Sequence, residues 1–150
     1  MNNEMNILVS DTPKEGILRL TMDDQKSGNA LSEEMMSILI KAIEKASIDD
    51  SVKVIILAAE GGIFSSGHNL KQITDAREQS EDGEPYFKQL FDQCSSLMQL
   101  LVNCPKPVIA QISGIATAAG CQLVATCDLA YASSSAKFAT PGVNLSLIHI

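Results

Sequence analysis

The sequence predicts an α/β fold with a parallel sheet. Three observations point there. Two apolar runs of strand length, "VIILAA" at Val54 to Ala59 and "VIAQI" at Val108 to Ile112, are continuous rather than alternating, as in strands covered on both faces. Segments with apolar residues at helical spacing separate them. Each run leads into a loop of glycine and other small residues. Strand and helix in alternation argue for βα units.

The elements follow in order. Ile17 to Met22 reads as a strand after a Lys14-Glu15-Gly16 turn. Ser32 is a good helix N-cap, and Leu31 and Met36 are spaced as a hydrophobic staple. Met36, Leu39, Ile40 and Ile43 then form a helical stripe. After "VIILAA" comes the loop "EGGIFSSGHNLK", then a polar helix or loop to about Pro85, within which "REQSEDGEP" is charged and expected to be mobile. Pro85 can open the next helix at its first position. Its apolar stripe is Phe87, Leu90, Phe91, Cys94, Leu97, Met98 and Leu101, and "CPKP" ends it. After Val108 to Ile112 comes the small-residue stretch "AAGCQLVATCD", and Leu129 to Ala132 reads as a further strand. The last six residues, "LSLIHI", read like the translation of a sequencing-library adapter joined after Asn144. Residues 1–144 are therefore expected to be the domain portion and 145–150 a non-native tail.

With 150 residues, 45% of them hydrophobic, the chain can bury one core. A net charge of −7 disfavours nucleic acid and anionic membrane as partners, and an anionic ligand would need local basic residues. No apolar run approaches a membrane span. The start, "MNNEMNILVS", lacks both a signal-type core and an Arg-rich presequence, so a cytoplasmic protein is expected. Of the four cysteines, Cys121 and Cys127 fall on different faces of a helix, badly placed for one metal. Buried, reduced thiols are the expectation, with no metal and no cofactor.

The chemistry is expected in the two loops. One runs through Gly61-Gly62 to Ser66-Gly67-His68, the other through Gly114 to Ala118-Ala119-Gly120. Small residues let a ligand approach the backbone, and N–H groups at a helix start are unpaired and favour negative charge. Two such groups converging on one oxygen make an oxyanion hole. Spacing alone equally allows two connecting turns. Other motifs fail. Gly62 to Gly67 has the glycine spacing of a phosphate loop, but His68-Asn69 stands where Lys-Ser/Thr belongs. Ser134-x-x-Lys137 imitates a hydrolase motif without its companions. His68 and His149 form no ligand set, and His68 reads as a polar loop residue or a general base.

Three segments, "SGNALSEEM", "VKVIILAAEGGIFSSGHNLK" and "PKPVIAQISGIATAAGCQLVATCDLAYASSSAKFATPGVN", resemble the crotonase superfamily, also called the enoyl-CoA hydratase/isomerase family, in order and spacing. The resemblance implies repeated ββα units in two roughly perpendicular sheets. It also implies a chain incomplete at its C-terminus, where longer family members carry helices that build trimers or hexamers. It implies a ligand, an acyl-CoA thioester of fatty-acid or acyl-CoA metabolism, with the thioester oxygen between the backbone N–H groups of His68 and Ala119. The CoA would lie against Ser66, His68, Asn69, Leu70 and Lys71 and near Ala30, with Lys26, Lys71 and Arg77 able to balance its phosphates. The family's two catalytic glutamates fall at Gln122 and Gly142, and Asn69 replaces a frequent Asp. The resemblance therefore implies thioester binding with hydratase chemistry in doubt. The alternatives are a non-catalytic acyl-CoA-binding or regulatory subunit, and a structural partner without ligand.

Overall fold

The computed structural model describes residues 7–79 and 84–142. Eight strands and four helices form two sheets that share one core. In chain order they are β1 (Leu8–Lys14), β2 (Ile17–Met22), α1 (Glu33–Ile48), β3 (Val54–Ala59), β4 (Ile63–Ser65), α2 (Leu70–Gln79), α3 (Glu84–Val102), β5 (Val108–Ile112), β6 (Ile115–Thr117), α4 (Ala119–Thr126), β7 (Leu129–Ala132) and β8 (Lys137–Ala139). The larger sheet has the order β1-β2-β3-β5-β7, and the smaller one β4-β6-β8. Among the described residues, β1 and β2 pair antiparallel and the other pairings are parallel.

The connectivity is a repeat. β3-β4-α2 and β5-β6-α4 each send their first strand to the larger sheet and their second to the smaller, and β7-β8 begins a third such unit. Each short second strand is reached through a tight turn, so its backbone lies close to its neighbour. At Gly114 an added Cβ would sit 2.3 Å from the Gly62 carbonyl oxygen, and at Gly120 one would sit 2.3 Å from the Ser65 carbonyl oxygen. Glycine is required at both by space alone.

The core lies between the larger sheet and helices α1 and α3. Leu20, Met22, Ile55, Leu57, Val108, Ala110 and Ile112 supply the sheet side. Met35, Met36, Leu39 and Ile43 of α1, with Leu90, Leu97 and Leu101 of α3, supply the other. Phe64, Ala116 and Leu123 extend the same cluster to the smaller sheet and α4. Ser32 caps α1 as its sequence suggests, its side chain accepting from the Met35 N–H at 3.1 Å. At the other end of α1, Lys106 Nζ donates to the Ala46 and Asp49 carbonyls, placing a cation where the helix dipole is negative.

Several expectations are corrected. Leu90, Cys94, Leu97, Met98 and Leu101 are buried, but Phe91 is 53% exposed and Phe87 only half-buried, because the first turns of α3 extend past the core. Glu84 precedes Pro85, so the proline is second in the helix and not first. The segment expected to be mobile contains residues 80–83, and the expected tail of residues 145–150 follows residue 142; both lie outside the described residues. β1, β4, β6 and β8 were not anticipated. β1 is almost wholly exposed and lacks an apolar pattern, while the other three have three residues each, too few to show a period.

The close approach at Gly120 is testable in the full-length protein. Gly120→Ala should lower stability by about 1–3 kcal/mol, since neither backbone can retreat. Gly62→Ala, whose Cβ would meet nothing within 4 Å, should stay within about 0.5 kcal/mol of wild type. Equal melting temperatures for the two variants would show that α4 does not press on β4.

Candidate functional site

β4 and β6 are parallel neighbours, so the loops leaving them lie side by side. Small side chains allow the contact. Gly67 adopts φ +88°, and a Cβ there would fall 3.1 Å from the Ala119 nitrogen. Both the conformation and the space therefore select glycine. Thr117 Oγ1 donates to the Ser66 carbonyl at 3.1 Å, joining the loops directly. Ala118 takes the uncommon pair φ +51°, ψ −122°, held by its own N–H donating to the Ala139 carbonyl at 2.9 Å. Strain of this kind persists only where the surroundings impose it. Its effect is to turn the chain from β6 into α4.

The Ala119 N–H precedes the first bonds of α4, from Cys121 N at 3.0 Å and Gln122 N at 3.3 Å to Ala118 O, so it has no intrahelical partner. The His68 N–H likewise has no hydrogen-bond partner among the described residues. Across the sheet, the Leu31 N–H donates to the Gly67 carbonyl at 2.8 Å, and Leu31 and His68 form a one-residue parallel bridge. This fixes the Gly67–His68 peptide plane. The structure therefore sets Gly67, the neighbour of His68, against the Ala119 nitrogen, and among the described residues neither the His68 nor the Ala119 N–H has a hydrogen-bond partner.

The His68 side chain has a different role from its backbone. Its ring meets Phe91 of α3 edge to face at 5.5 Å between centroids. Nδ1 is buried without a hydrogen-bond partner. Burial pushes the imidazole below its usual value, and the Leu31 backbone opposes this only in part. A neutral ring packed beneath α3, its Nδ1 shut away from solvent, does not suit a general base acting in the cleft.

The other sequence-derived positions fall as follows. Ala30 is buried, and Ser66 Oγ donates to the Ser27 carbonyl at 3.1 Å, so both serve the junction of two loops. Asn69 caps α2, its Oδ1 accepting from the Gln72 N–H at 3.1 Å. Leu70 is 74% exposed at the start of α2. Lys71 pairs with Asp75 at 2.6 Å along the helix surface. Asn69 and Lys71 line a groove of about 570 Å³ between α2 and the start of α1, with Ser32, Glu33, Gln72 and Tyr86. Lys26 and Arg77 are exposed. Gln122 is exposed in the first turn of α4, and Gly142 stands at the end of the described residues, so neither position offers a carboxylate. Cys121 Sγ faces the Ala116 and Ala139 carbonyls, whereas Cys127 Sγ faces Leu123 O, so the two thiols do not converge. Burial pushes the Cys127 thiol up to about 12, with Asp128 adding to the shift. Among the described residues no group of three or more His, Cys, Asp or Glu side chains is placed to hold a metal.

The enoyl-CoA hydratase/isomerase family model matches residues 12–149. The chain belongs to that family. Among its relatives is the mitochondrial enoyl-CoA hydratase domain-containing protein 3 of Xenopus laevis, 48% identical over 132 residues, or 88% of this chain and 43% of the relative. The human protein of the same name is 46% identical over 133 residues, covering 89% and 42%. The crystal structure of an enoyl-CoA hydratase from Mycobacterium smegmatis superposes with a TM-score of 0.84 at 42% identity, over 93% of this chain and 52% of that one. The fold is thus the crotonase fold, and the chain spans about half the length of the relatives it matches. The expectation of a cytoplasmic protein is overturned, because the frog and human relatives are both mitochondrial by name. Compartment is set by targeting segments and not by the composition of a folded domain.

Sequence reasoning missed the loop-joining hydroxyl of Thr117 and the positive-φ backbone of Asn29 and Ala118. The positive φ of Asn29 had a signal, since asparagine after glycine often takes the left-handed region. Ala118 had none, because alanine rarely adopts such a conformation and only the fold imposes it.

The burial of His68 predicts a pH dependence. Its folded-state value lies below the ordinary 6.5, so the folded protein takes up this proton less readily than the unfolded chain. The stabilising contribution of the neutral ring is full above about pH 6.5 and is lost as pH falls toward the folded-state value. In the full-length protein, His68→Gln should flatten the fall in melting temperature between about pH 7 and 5.5. Identical slopes in wild type and variant would rule out a buried neutral imidazole.

Proposed function

We propose that the full-length protein binds acyl-CoA thioesters at these two loops, with the His68 and Ala119 N–H groups directed at the thioester oxygen. The observation that carries this reading is the pair of unpartnered backbone donors on adjacent loops, in a chain that belongs to the enoyl-CoA hydratase/isomerase family. Reactions at the α- or β-carbon of an acyl thioester pass through an enolate-like state with negative charge on that oxygen. Fixed backbone dipoles stabilise this charge without reorganising at the moment of reaction. Side-chain substitution at either position leaves the donor in place.

The CoA moiety lies along Ser66 to Lys71 and past Ala30 in this reading, beside the groove between α1 and α2. Its phosphates meet exposed cations at Lys26 and Arg77. Lys71 is shared with Asp75, so its attraction is reduced. The names of the relatives favour acyl-CoA metabolism in the mitochondrion. Trimer formation fits the exposed Leu129, Tyr131 and Phe138 on the last strands of the two sheets.

Gln122 shapes the chemistry. A carboxamide can anchor a substrate or a water, but it neither gives nor takes a proton near neutral pH. With Gln122 and Gly142 in place of two general acid–base groups, hydration should be slower by on the order of 10⁴-fold or more. The absence of both carboxylates also favours a second reading, a protein that binds acyl-CoA without turning it over.

Calorimetry on the full-length protein with acetyl-, crotonyl- and octanoyl-CoA should show micromolar binding to at least one; no heat with any of the three would end the proposal. Ala119→Pro removes one donor at a helix position that tolerates proline, and it should abolish binding while Ala119→Ser retains it. Crotonyl-CoA hydration should run far below about 10 per second in wild type. Gln122→Glu combined with Gly142→Glu should raise it above either single change. Ordinary hydratase turnover in wild type would mean that another group carries the proton.

A further inference from the structure

Asn29 is a fully buried polar side chain on a backbone in the left-handed region, at φ +50°. Left-handed backbone is unfavourable for an L-residue, and so is an unpaired buried amide. Both are tolerated because the carboxamide is fully engaged. Oδ1 accepts from the Asp24 N–H at 2.7 Å, while Nδ2 donates to the Glu60 carbonyl at 3.0 Å and to the Ile63 carbonyl at 2.7 Å. One oxygen thus closes the turn on itself, and both amide hydrogens reach across to the loop that ends in β4.

The backbone on either side of Asn29 is bonded to the same segment. The Gly28 carbonyl accepts from the Ser66 N–H at 3.0 Å, and the Leu31 N–H donates to the Gly67 carbonyl at 2.8 Å. The Ser27 carbonyl accepts from Ser66 Oγ at 3.1 Å. The 24–31 loop and the 60–67 segment are therefore laced at Glu60, Ile63, Ser66 and Gly67, and the next residue is His68. The orientation of the His68 N–H follows from that of the Gly67–His68 peptide, whose carbonyl is one of the laced groups. Among the described residues, Asn29 is the side chain of the 24–31 loop that hydrogen-bonds to the Glu60 and Ile63 carbonyls.

We infer that Asn29 is the positioning residue of the thioester site: its carboxamide clamps the 24–31 loop to the 60–68 segment and so sets the direction of the His68 N–H donor. The inference deepens the reading under Proposed function and, for its ligand, rests on it. An aspartate at this position keeps the acceptor for Asp24 N–H but turns a carboxylate toward two carbonyl oxygens. A glycine relieves the backbone and leaves both carbonyls unpaired. The two variants separate the backbone requirement from the amide requirement.

The test uses full-length wild type, Asn29→Gly, Asn29→Asp and a core variant, Ile43→Val, in α1. Amide hydrogen exchange is followed without ligand, together with melting temperature and calorimetric affinity for crotonyl-CoA. In both Asn29 variants, exchange across residues 60–68 should rise about tenfold or more, with α1 and α3 no more affected than in Ile43→Val. Affinity should weaken roughly ten- to hundredfold, as expected when a donor is misplaced by an ångström. Ile43→Val should lose stability and keep its affinity. If Asn29→Asp does not fold, Asn29→Gly, which carries no backbone strain, decides alone. Exchange that rises evenly over the whole core would overturn the inference, as would wild-type affinity in an Asn29 variant that folds. If exchange rises only at 60–68 while wild type binds no acyl-CoA, the clamp is supported and the thioester reading fails.

Discussion

The arrangement depends on backbone-to-backbone contact between two parallel three-residue strands, β4 and β6, at the points where their loops leave the sheet. Side chains are excluded there. Gly120 lies against the Ser65 carbonyl, and Gly67 lies against the Ala119 nitrogen. Once the contact forms, the start of α4 is pinned beside the loop that precedes α2. The Ala119 N–H is then left without an intrahelical partner as a consequence of the packing, while the Gly67–His68 peptide is held by the bonds of the adjoining 24–31 loop. Any added Cβ at the contact pushes the two loops apart. Stability and site geometry therefore share one constraint.

The repeat explains why the contact occurs where it does. Each unit contributes a long strand to the larger sheet and a short one to the smaller sheet, and the larger sheet together with α1 and α3 holds most of the buried apolar residues. Burying a core residue of this kind contributes roughly 1.5–3 kcal/mol, so the larger sheet with α1 and α3 carries the bulk of the stabilisation. The smaller sheet carries few large apolar groups and is positioned by the turns that tie it to the larger one. That division lets Ala118 hold a strained backbone: the energy comes from a core that does not share its conformation. Local rules fail most visibly at Ala118 and Asn29, the two non-glycine residues with positive φ among the described residues, and both border the paired loops.

Legibility followed the same division. β2, β3, β5 and β7 were readable to the residue because each is an apolar or β-branched run bounded by turn residues. The N-cap of α1 was readable because a serine preceded a clear helical period. The smaller sheet was not, since "IFS", "IAT" and "KFA" are too short for a period of two to show. β1 went unseen because an edge strand facing water needs no apolar pattern, and it pairs through Arg19 and Asp11 on its surface as well as through backbone. The loops that carry the paired donors were readable as small-residue stretches after strands. That they touch was not, because contact depends on β4 and β6 being neighbours. Compartment was illegible for a different reason, since an address is not encoded in packing.

His68 shows why position and side chain must be treated separately at such a site. Its backbone N–H has no partner among the described residues, while its imidazole is turned to Phe91 of α3 with one nitrogen sealed from water. The two halves of the residue answer to different partners. The N–H direction is set by the lacing of the neighbouring loop through Gly67, and the ring conformation by how α3 sits. Burial disfavours the charged form of the ring, so the side chain and the backbone of this residue are governed by separate surroundings. A substitution at position 68 therefore reports first on the seating of α3. Only changes that reach the backbone, at the neighbouring glycine, at the clamp of the adjoining loop or at a removed N–H, report on the donors themselves.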